Sequence, residues 1–178
     1  MVTAEARILE NMPQDKESAR ERFHQLQALL PSRWRSIDYF DRSPRQILVV
    51  PSLSLDQEEL SKVKGVHYYE ERLLFSLIRL RNPETRIIYV TSQPLHPSVV
   101  DYYLELLPGI PSSHARDRLD LFATYDSSLR PLSEKILARP RLIKRLKAKI
   151  KPNEAYMTCY NSTELERELA VVLGLPML

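Results

Sequence analysis

The sequence predicts an α/β fold, a Rossmann-like three-layer open sheet that is mainly parallel and has about four strands. The run 46–51 is short, continuously apolar and rich in β-branched residues, which is typical of a strand buried on both faces, and three more strand-like runs follow it. Segments with helical spacing separate these runs, and strands joined through helices run parallel with right-handed crossovers. The chain has 178 residues, 43% of them hydrophobic and 28% charged, which suits a single globular domain.

The chain opens with residues 1–16, which lack a clear period and are predicted to be a mobile arm. The domain proper is predicted to cover residues 17–178. Ser18 and Glu21 form a predicted capping box at the start of its first helix. Four apolar residues recur at helical spacing after this box: Phe23, Leu26, Leu30 and Trp34.

Each predicted strand is followed by a predicted helix. The strands lie at 46–51, 86–91, 119–125 and 155–160. After the first strand, a helix start near Ser54 and Gln57 precedes a long amphipathic helix at 67–82. Pro97 lies in the first turn of the next helix, and 113–118 is a short helical or coil link. Residues 131–151 form two helices split at Pro140, and Gly174 caps the last helix.

The loops after the four strands carry small hydroxyl, amide and carboxylate side chains. Ligands of open α/β sheets bind beyond the carboxyl ends of the strands, so we expect these side chains to line one substrate cleft. The candidate substrate-binding residues are Ser52, Ser54, Thr91, Ser92, Gln93, His96, Asp126, Ser127, Ser128, Asn161, Ser162 and Thr163. No residue is assigned a catalytic role.

Helix capping is the alternative interpretation of the same loops. Ser, Thr, Asn and Asp are preferred caps, and each loop precedes a helix. The loop that begins at Thr91 is longer than a cap needs. Its Gln93 and His96 favour contact with a ligand or another domain.

Several site classes are excluded by simple spacing. The glycines Gly65, Gly109 and Gly174 stand apart, so neither a P-loop nor a dinucleotide fingerprint is present. The four histidines lie in separate segments, so no metal site is expected, and no G-x-S-x-G motif occurs. Cys159 is the single cysteine, which precludes an internal disulfide. Since no apolar run resembles a signal or a membrane span, we expect a cytoplasmic protein without a membrane partner.

Two charged segments have structural interpretations. Glu70 and Glu71 lie at the start of a predicted helix, where acids favour the helix dipole. The basic segment 139–151 carries an apolar stripe of Leu142, Leu146 and Ile150, so its charges are interpreted as a solvated face. The segment lacks interleaved aromatic residues, which argues against nucleic acid. An RNA- or protein-interaction module built on this helix stays the alternative.

Long strings of the sequence resemble the N-terminal part of bacterial ATP-grasp proteins related to the pheganomycin peptide ligase. They are ILVVPSLSLDQEEL, HYYEERLLFSLIRLRNPETRIIYVTSQPLHPSVVDYYLELLPGIPSSHARDRL, YDSSLRPLSEKIL and YMTCYNSTELERELAVVLGLPML. The resemblance runs from about Gln25 to Leu178. It implies a pre-ATP-grasp domain, the Rossmann-like unit that helps such enzymes to form their substrate cleft.

The resemblance also implies a reaction class, carboxylate–amine ligation through an acyl phosphate. In that family the ATP-binding half follows the position of Leu178 and holds ATP and magnesium, so no cofactor is expected in this chain. We therefore expect a substrate-side domain that is inactive alone. Its expected partners are a C-terminal ATP-grasp domain and a small acid or amine substrate, and homo-oligomers stay open. A free-standing domain that binds a small molecule or nucleotide is the other alternative.

Overall fold

The sheet is fully parallel and has four strands. The computed structural model describes residues 15–34, 45–55 and 57–178. The strands are β1 (Arg45–Val50), β2 (Thr85–Thr91), β3 (Leu119–Ala123) and β4 (Ala155–Cys159). They pair in the order β3-β2-β1-β4. The predicted α/β class is confirmed, and all four strands end at the same edge of the sheet.

Helices cover both faces of the sheet. They are α1 (Lys16–Gln27), α2 (Leu30–Arg33), α3 (Gln57–Lys62), a 3-10 helix (Val66–Arg81), α4 (Pro97–Glu105), α5 (Ser112–Arg116), α6 (Leu132–Leu137), α7 (Pro140–Lys149) and α8 (Glu164–Leu173). In β1, Leu48 and Val50 pack with α6, α7 and α8. The alternate residues Ile47 and Val49 pack against the 3-10 helix and α4. This alternation confirms the three-layer architecture.

The segment predicted as a regular amphipathic helix at 67–82 is a 3-10 helix, Val66–Arg81. Leu74, Leu77 and Leu80 are fully buried, and their spacing of three residues matches one turn of a 3-10 helix. Ile78 is 38% exposed, so the broad apolar face predicted from α-helical spacing is wrong at this residue.

The start of the domain differs from the predicted capping box. Asp15 caps α1 by accepting a hydrogen bond from the backbone N–H of Ser18, at 2.7 Å. The predicted box of Ser18 and Glu21 is wrong because the helix begins three residues earlier. Most of the predicted mobile arm, residues 1–14, lies outside the described residues.

The structure confirms two predicted helix boundaries in the C-terminal part of the chain. Pro140 separates α6 from α7, and Gly174 ends α8 with a left-handed φ of 71°. The backbone of Met177 then pairs in parallel with Met157 of β4. Gln27 of α1 binds the N–H and C=O of Met177 at 2.6 and 2.9 Å, which anchors this segment. No helix of the described residues has the length and apolar character to span a membrane.

Candidate functional site

The site lies at the carboxyl edge, which we define as the loops that follow the four strands. Elements after β1 and β2 pack on one face of the sheet, and those after β3 and β4 pack on the other. The neighbouring parallel strands β1 and β4 are therefore followed by loops that lead to opposite faces of the sheet. In open α/β sheets such a switch point opens a crevice for ligands.

At this switch point the structure has a closed set of hydrogen bonds, which we call the hydroxyl cluster: Ser52, Ser54, Asn161, Thr163 and Glu166. The backbone N–H of Ser54 donates to Asn161 Oδ1 at 3.1 Å, and Asn161 Nδ2 donates to the carbonyl of Ser54 at 3.3 Å. Ser52 Oγ lies 2.9 Å from Ser54 Oγ and accepts from the N–H of Ser133 at 3.1 Å. The loops after β1 and β4 are thus bound to each other.

Glu166 lies at the centre of the hydroxyl cluster and is fully buried. Its carboxylate accepts hydrogen bonds from Ser54 Oγ and from the N–H and Oγ1 of Thr163, the latter two at 2.9 and 2.5 Å. Thr163 also caps α8, which makes this pair a capping box. The cluster satisfies its buried carboxylate with neutral donors.

Opposing effects set the pKa of this carboxyl group. Burial acts to raise the pKa, but the surrounding hydroxyls of Ser133, Ser54 and Thr163 hold it below its ordinary value. The Ser133 hydroxyl faces the carboxylate without making a hydrogen bond of ordinary geometry. Glu166 is therefore a charged structural group at neutral pH.

A second group of side chains lies beyond β2, and we call it the charged pocket: Glu70, Ser92, Asp126, Arg130 and Lys135. Ser92, the first residue after β2, donates to the Glu70 carboxylate from both its N–H and its Oγ, at 2.5 Å each. Ser92 Oγ also accepts from Lys135 Nζ at 2.8 Å. One hydroxyl therefore joins a carboxylate to an ammonium group.

Lys135 is the most buried cation of the charged pocket, with 3% of its surface exposed. Its ammonium also donates to the carbonyl of Asp126 at 3.0 Å. Burial lowers its pKa, while the nearby carboxylates of Glu70 and Asp126 oppose that shift. A lysine held in this way contributes a fixed, poorly solvated donor.

Asp126 fixes the loop after β3. Its Oδ1 accepts from the N–H of Ser128, and its Oδ2 accepts from Arg130 and Arg139, all at 2.9 Å. The hydrogen bonds from Ser128, helped by Arg139 and Lys135, hold the pKa of Asp126 well below its usual range. Arg130 also lies 3.6 Å from Glu134 on its solvent side.

Tyr125, immediately before Asp126, has a left-handed φ of 56° and is 74% exposed. No other non-glycine residue in the described ranges has a positive φ. Such a backbone costs roughly 1–2 kcal/mol for a residue with a side chain. The turn leads into Asp126, whose N–H donates to the carbonyl of Ser92 at 3.1 Å. The strained residue therefore adjoins the contact that joins the loops after β2 and β3.

The charged pocket opens into a small, open cleft that encloses about 30 Å³. Six apolar side chains line the cleft: Leu53, Leu60, Val66, Leu129, Pro131 and Leu132. Its polar lining consists of Tyr69, Glu70, Ser92, Ser128, Arg130 and Lys135. Tyr69 lines the cleft, and its hydroxyl oxygen lies 2.9 Å from that of Tyr160. An apolar wall beside a few converging polar groups is typical of small-molecule sites.

The remaining predicted residues contact their own loop or the neighbouring loop after β3. Thr91 Oγ1 donates to the carbonyl of Gln93 at 2.6 Å. With its amide oxygen turned towards the loop after β3, Gln93 accepts from the N–H groups of Asp126 and Ser127 at 3.1 Å each. His96 caps α4 by accepting from the N–H of Ser98 at 3.3 Å. Ser127 and Ser162 are exposed.

Sequence reasoning missed four charged residues that the structure places at the carboxyl edge: Glu70, Arg130, Lys135 and Glu166. Glu70, interpreted from sequence as a helix-dipole residue, instead binds Ser92 across the loop. Glu166 had a usable signal, because Thr163-x-x-Glu166 has the spacing of a capping box. Lys135 shares a helix face with buried Leu132 and Ile136, a pattern that gives no sign of a polar partner.

The basic helix α7 is engaged within the fold. Leu142, Ile143 and Leu146 are buried. Lys149 pairs with Asp120 at 2.9 Å, and the Arg145 guanidinium lies 5.1 Å from the centre of the Phe122 ring. These contacts favour a helix that packs on the sheet over a free nucleic-acid surface.

Neither a cluster of metal ligands nor a glycine-rich phosphate loop occurs among the described residues. The described residues contain no group of three His, Cys, Asp or Glu side chains that could hold a metal ion. The three glycines, each with φ near 72°, lie at separate turns or helix ends and form no phosphate loop.

Two proteins are similar in sequence to this chain. IQ motif-containing protein H of Danio rerio is 28% identical over 173 residues, 89% of this chain. The L-propargylglycine--L-glutamate ligase of Streptantibioticus cattleyicolor is 31% identical over 93 residues, 49% of this chain. The matched regions cover 16% and 19% of these relatives, so this chain spans less than a fifth of either. No protein-family model and no solved structure matches it.

Proposed function

We propose that this chain is the N-terminal, substrate-side domain of an ATP-grasp carboxylate–amine ligase, inactive without its ATP-binding half. The observation that carries the proposal is the charged pocket, in which Ser92 joins a carboxylate to a buried ammonium beside an apolar wall. Similarity over half of the chain to a ligase named for two amino acids supports the same reaction class.

The role of the pocket in this proposal is to bind and orient one small substrate. Lys135 and Arg130 offer charge-assisted donors, while Glu70 accepts hydrogen bonds in a partly desolvated site. Positioning of this kind lowers the barrier to bimolecular ligation, because the entropy cost is met on binding. ATP and magnesium are assigned in this proposal to the other half, as the family resemblance implies.

The test uses the longer ligase that contains this domain together with an ATP-grasp domain. Phosphate release is measured over a panel of acids and amines for Ser92→Ala. Losing one hydrogen bond in a substrate cleft should lower kcat/KM by roughly 10- to 100-fold. Ser113→Ala, at an exposed position of α5, is the matched control. An unchanged rate in a normally folded Ser92→Ala protein contradicts the proposal.

Nucleotide binding separates this proposal from a free-standing nucleotide-binding domain. The 178-residue chain should show no micromolar affinity for Mg-ATP by calorimetry, because it has no phosphate loop. Micromolar binding would support the free-standing alternative instead.

A second candidate is a non-catalytic interaction domain within a larger protein. The observation in its favour is the match to IQ motif-containing protein H, which covers 89% of this chain, more than the ligase match does. Under this candidate, Ser92→Ala and Lys135→Gln would leave every ligase assay unaffected and change only stability.

A further inference from the structure

The strand β3 lies at one edge of the sheet, and its outer side is open. It pairs with β2, and no other strand of the described residues pairs with it. The carbonyl of Arg118 accepts from β2 and the N–H of Thr124 donates to β2, so the backbone groups between them alternate in direction. The N–H and C=O groups of Leu119, Leu121 and Ala123 therefore point away from β2. We call these three residues the open edge.

The open edge lacks the features that commonly protect an edge strand, such as proline or lysine. The sequence of β3 is LDLFA, and its charged residue, Asp120, is already bound by Lys149 at 2.9 Å. Leu121 is 40% exposed. At the opposite edge of the sheet, the chain itself covers part of β4, because Met177 pairs with Met157. An open, apolar edge strand is suited to accept a further strand from a partner.

The helix α7 places positive charge along β3. Lys149 binds Asp120, and the Arg145 guanidinium lies 5.1 Å from the centre of the Phe122 ring. Residues four apart on α7 are thus level with residues two apart on β3, because both intervals span roughly 6–7 Å. One turn earlier, Arg141 is level with the end of β3. Arg141 and Arg145 are exposed, and neither forms an ion pair within the described residues.

A strand added at the open edge would direct alternate side chains to the two faces of the sheet. On the face covered by α7 they would meet Arg141 and Arg145, and on the other face they would lie beside Leu121. Acidic residues at alternate positions, with apolar residues between them, complement these surroundings.

A second copy of this chain fits the open edge less well. Two β3 strands paired antiparallel around a twofold axis would place both α7 helices on the same face of the joined sheet. Their arginines would then face each other, and like charges brought together at an interface weaken binding. The charge of α7 therefore favours an acidic partner over self-association.

We propose that the open edge of β3 binds an extended acidic segment of a partner protein by strand addition. The backbone of the segment pairs with Leu119, Leu121 and Ala123, and its acidic side chains lie against Arg141 and Arg145. The inference goes beyond the proposed function, because these residues do not line the cleft and the contact requires no ligase activity.

Amide hydrogen exchange of the 178-residue chain tests this contact directly. The probe is a capped peptide of alternating glutamate and valine, about eight residues long. With the peptide at about ten times its Kd, the N–H groups of Leu119, Leu121 and Ala123 should exchange about tenfold more slowly. The N–H groups of Asp120 and Phe122 already point to β2 and should change little.

Two matched peptides separate the contributions of charge and backbone. A lysine–valine peptide of the same length should bind at least about tenfold more weakly, because it meets the arginines of α7 with like charge. A glutamate–valine peptide that is N-methylated at alternate residues keeps its charge but cannot pair as a strand. It should also bind at least about tenfold more weakly, since several backbone hydrogen bonds are lost.

Protein variants test the arginines. Arg141→Glu combined with Arg145→Glu should weaken binding of the glutamate–valine peptide by at least about tenfold. Both residues are exposed, so the variant should fold. Lys16→Glu combined with Arg20→Glu makes the same change of charge at exposed positions of α1 and should leave the affinity unaltered.

Four results would overturn the inference. They are absence of binding by the glutamate–valine peptide, equal binding by the lysine–valine peptide, binding without slower exchange at the open edge, and an unchanged affinity in the arginine variant. Tighter binding of oligouridine RNA than of the peptide would also overturn it, in favour of nucleic acid. Slower exchange at the open edge on raising the protein concentration alone would overturn it in favour of a second copy.

Discussion

Two carboxylates at the carboxyl edge, the buried Glu166 and the half-buried Glu70, have different partners. Glu166 accepts from neutral hydroxyl and backbone donors that join the loops after β1 and β4. Glu70 shares the Ser92 hydroxyl with the buried ammonium of Lys135, and both line a cleft. The polar groups of the hydroxyl cluster thus bind one another, whereas charged residues of the charged pocket line an open cleft.

This difference shows that position at a sheet edge does not by itself identify the binding site. The switch point between β1 and β4 is where a ligand is expected in an open α/β sheet. There the hydroxyl cluster fills the crevice with its own hydrogen bonds, and the cleft lies one strand away, beyond β2. Mutations should therefore affect stability in the first region and ligand binding in the second.

The largest effect should come from the centre of the hydroxyl cluster. Glu166→Ala should lower the free energy of unfolding by about 3 kcal/mol, because the donors of Ser54 and Thr163 lose a charged acceptor. Urea unfolding of the 178-residue chain measures this loss. Glu164→Ala, on the same helix but exposed and paired with Arg167, should change it by less than about 0.5 kcal/mol. A similar loss of unfolding free energy in both variants would show that the hydroxyl cluster has no special structural role.

Acid should weaken the same cluster, though less than alanine does, because a protonated carboxyl group still fills the site. The pKa of Glu166 is lowered in the folded protein, so its contribution is present above the unfolded pKa. This contribution is lost as the pH falls through the lower, folded pKa.

Urea unfolding from neutral pH to below about pH 4 follows this loss. In Glu166→Gln, the free energy of unfolding should fall less steeply as the pH is lowered. The fall that remains should include the contribution of Asp126, whose pKa is also lowered. An identical pH dependence for the wild type and Glu166→Gln would show that the carboxylate contributes nothing to it.

A smaller stability change is expected in the charged pocket. Ser92→Ala should cost about 1–2 kcal/mol of unfolding free energy, because one hydroxyl joins Glu70 to Lys135. Thermal unfolding gives this cost, with Ser113→Ala as the exposed control. If Ser92→Ala destabilises the chain as much as Glu166→Ala, the charged pocket is as structural as the hydroxyl cluster.

The smallest effect should come from the loop after β2 beyond Ser92. Replacing Gln93 and His96 together by alanine should cost about 1 kcal/mol, from the lost cap of α4 and the lost hydrogen bonds of the exposed Gln93 side chain to the loop after β3. In the longer ligase the same double change should leave phosphate release nearly unaltered. A large loss of ligase rate would move the substrate contact from the charged pocket to this exposed loop.

Much of the fold was predictable because its signals are local. Buried parallel strands give continuous apolar runs such as 46–50, and Pro140 and Gly174 mark helix ends through their own backbone limits. The 3-10 geometry of Val66–Arg81 was not predictable, because leucines at 74, 77 and 80 fit either helix period.

The candidate site was predictable only in outline. Residues at strand ends, including Ser92 and Asp126, were found because the topology fixes where they meet. Lys135 and Glu70 are distant in sequence and reach this edge from helices, so their pairing depends on tertiary packing. His96 was selected because a histidine is unusual in such a loop, and the structure shows that its side chain caps α4.

The most direct test of the account is a backbone amide map of ligand binding. The 178-residue chain is titrated with a mixture of small carboxylates, amines and α-amino acids while amide shifts are recorded. We expect saturable shifts at Leu53, Ser92, Ser128 and Arg130, around the cleft. Shifts at Ser54, Asn161 and Thr163 should be small, because the hydroxyl cluster has no room for a ligand. Shifts concentrated at the hydroxyl cluster, with the cleft unaffected, would contradict the account.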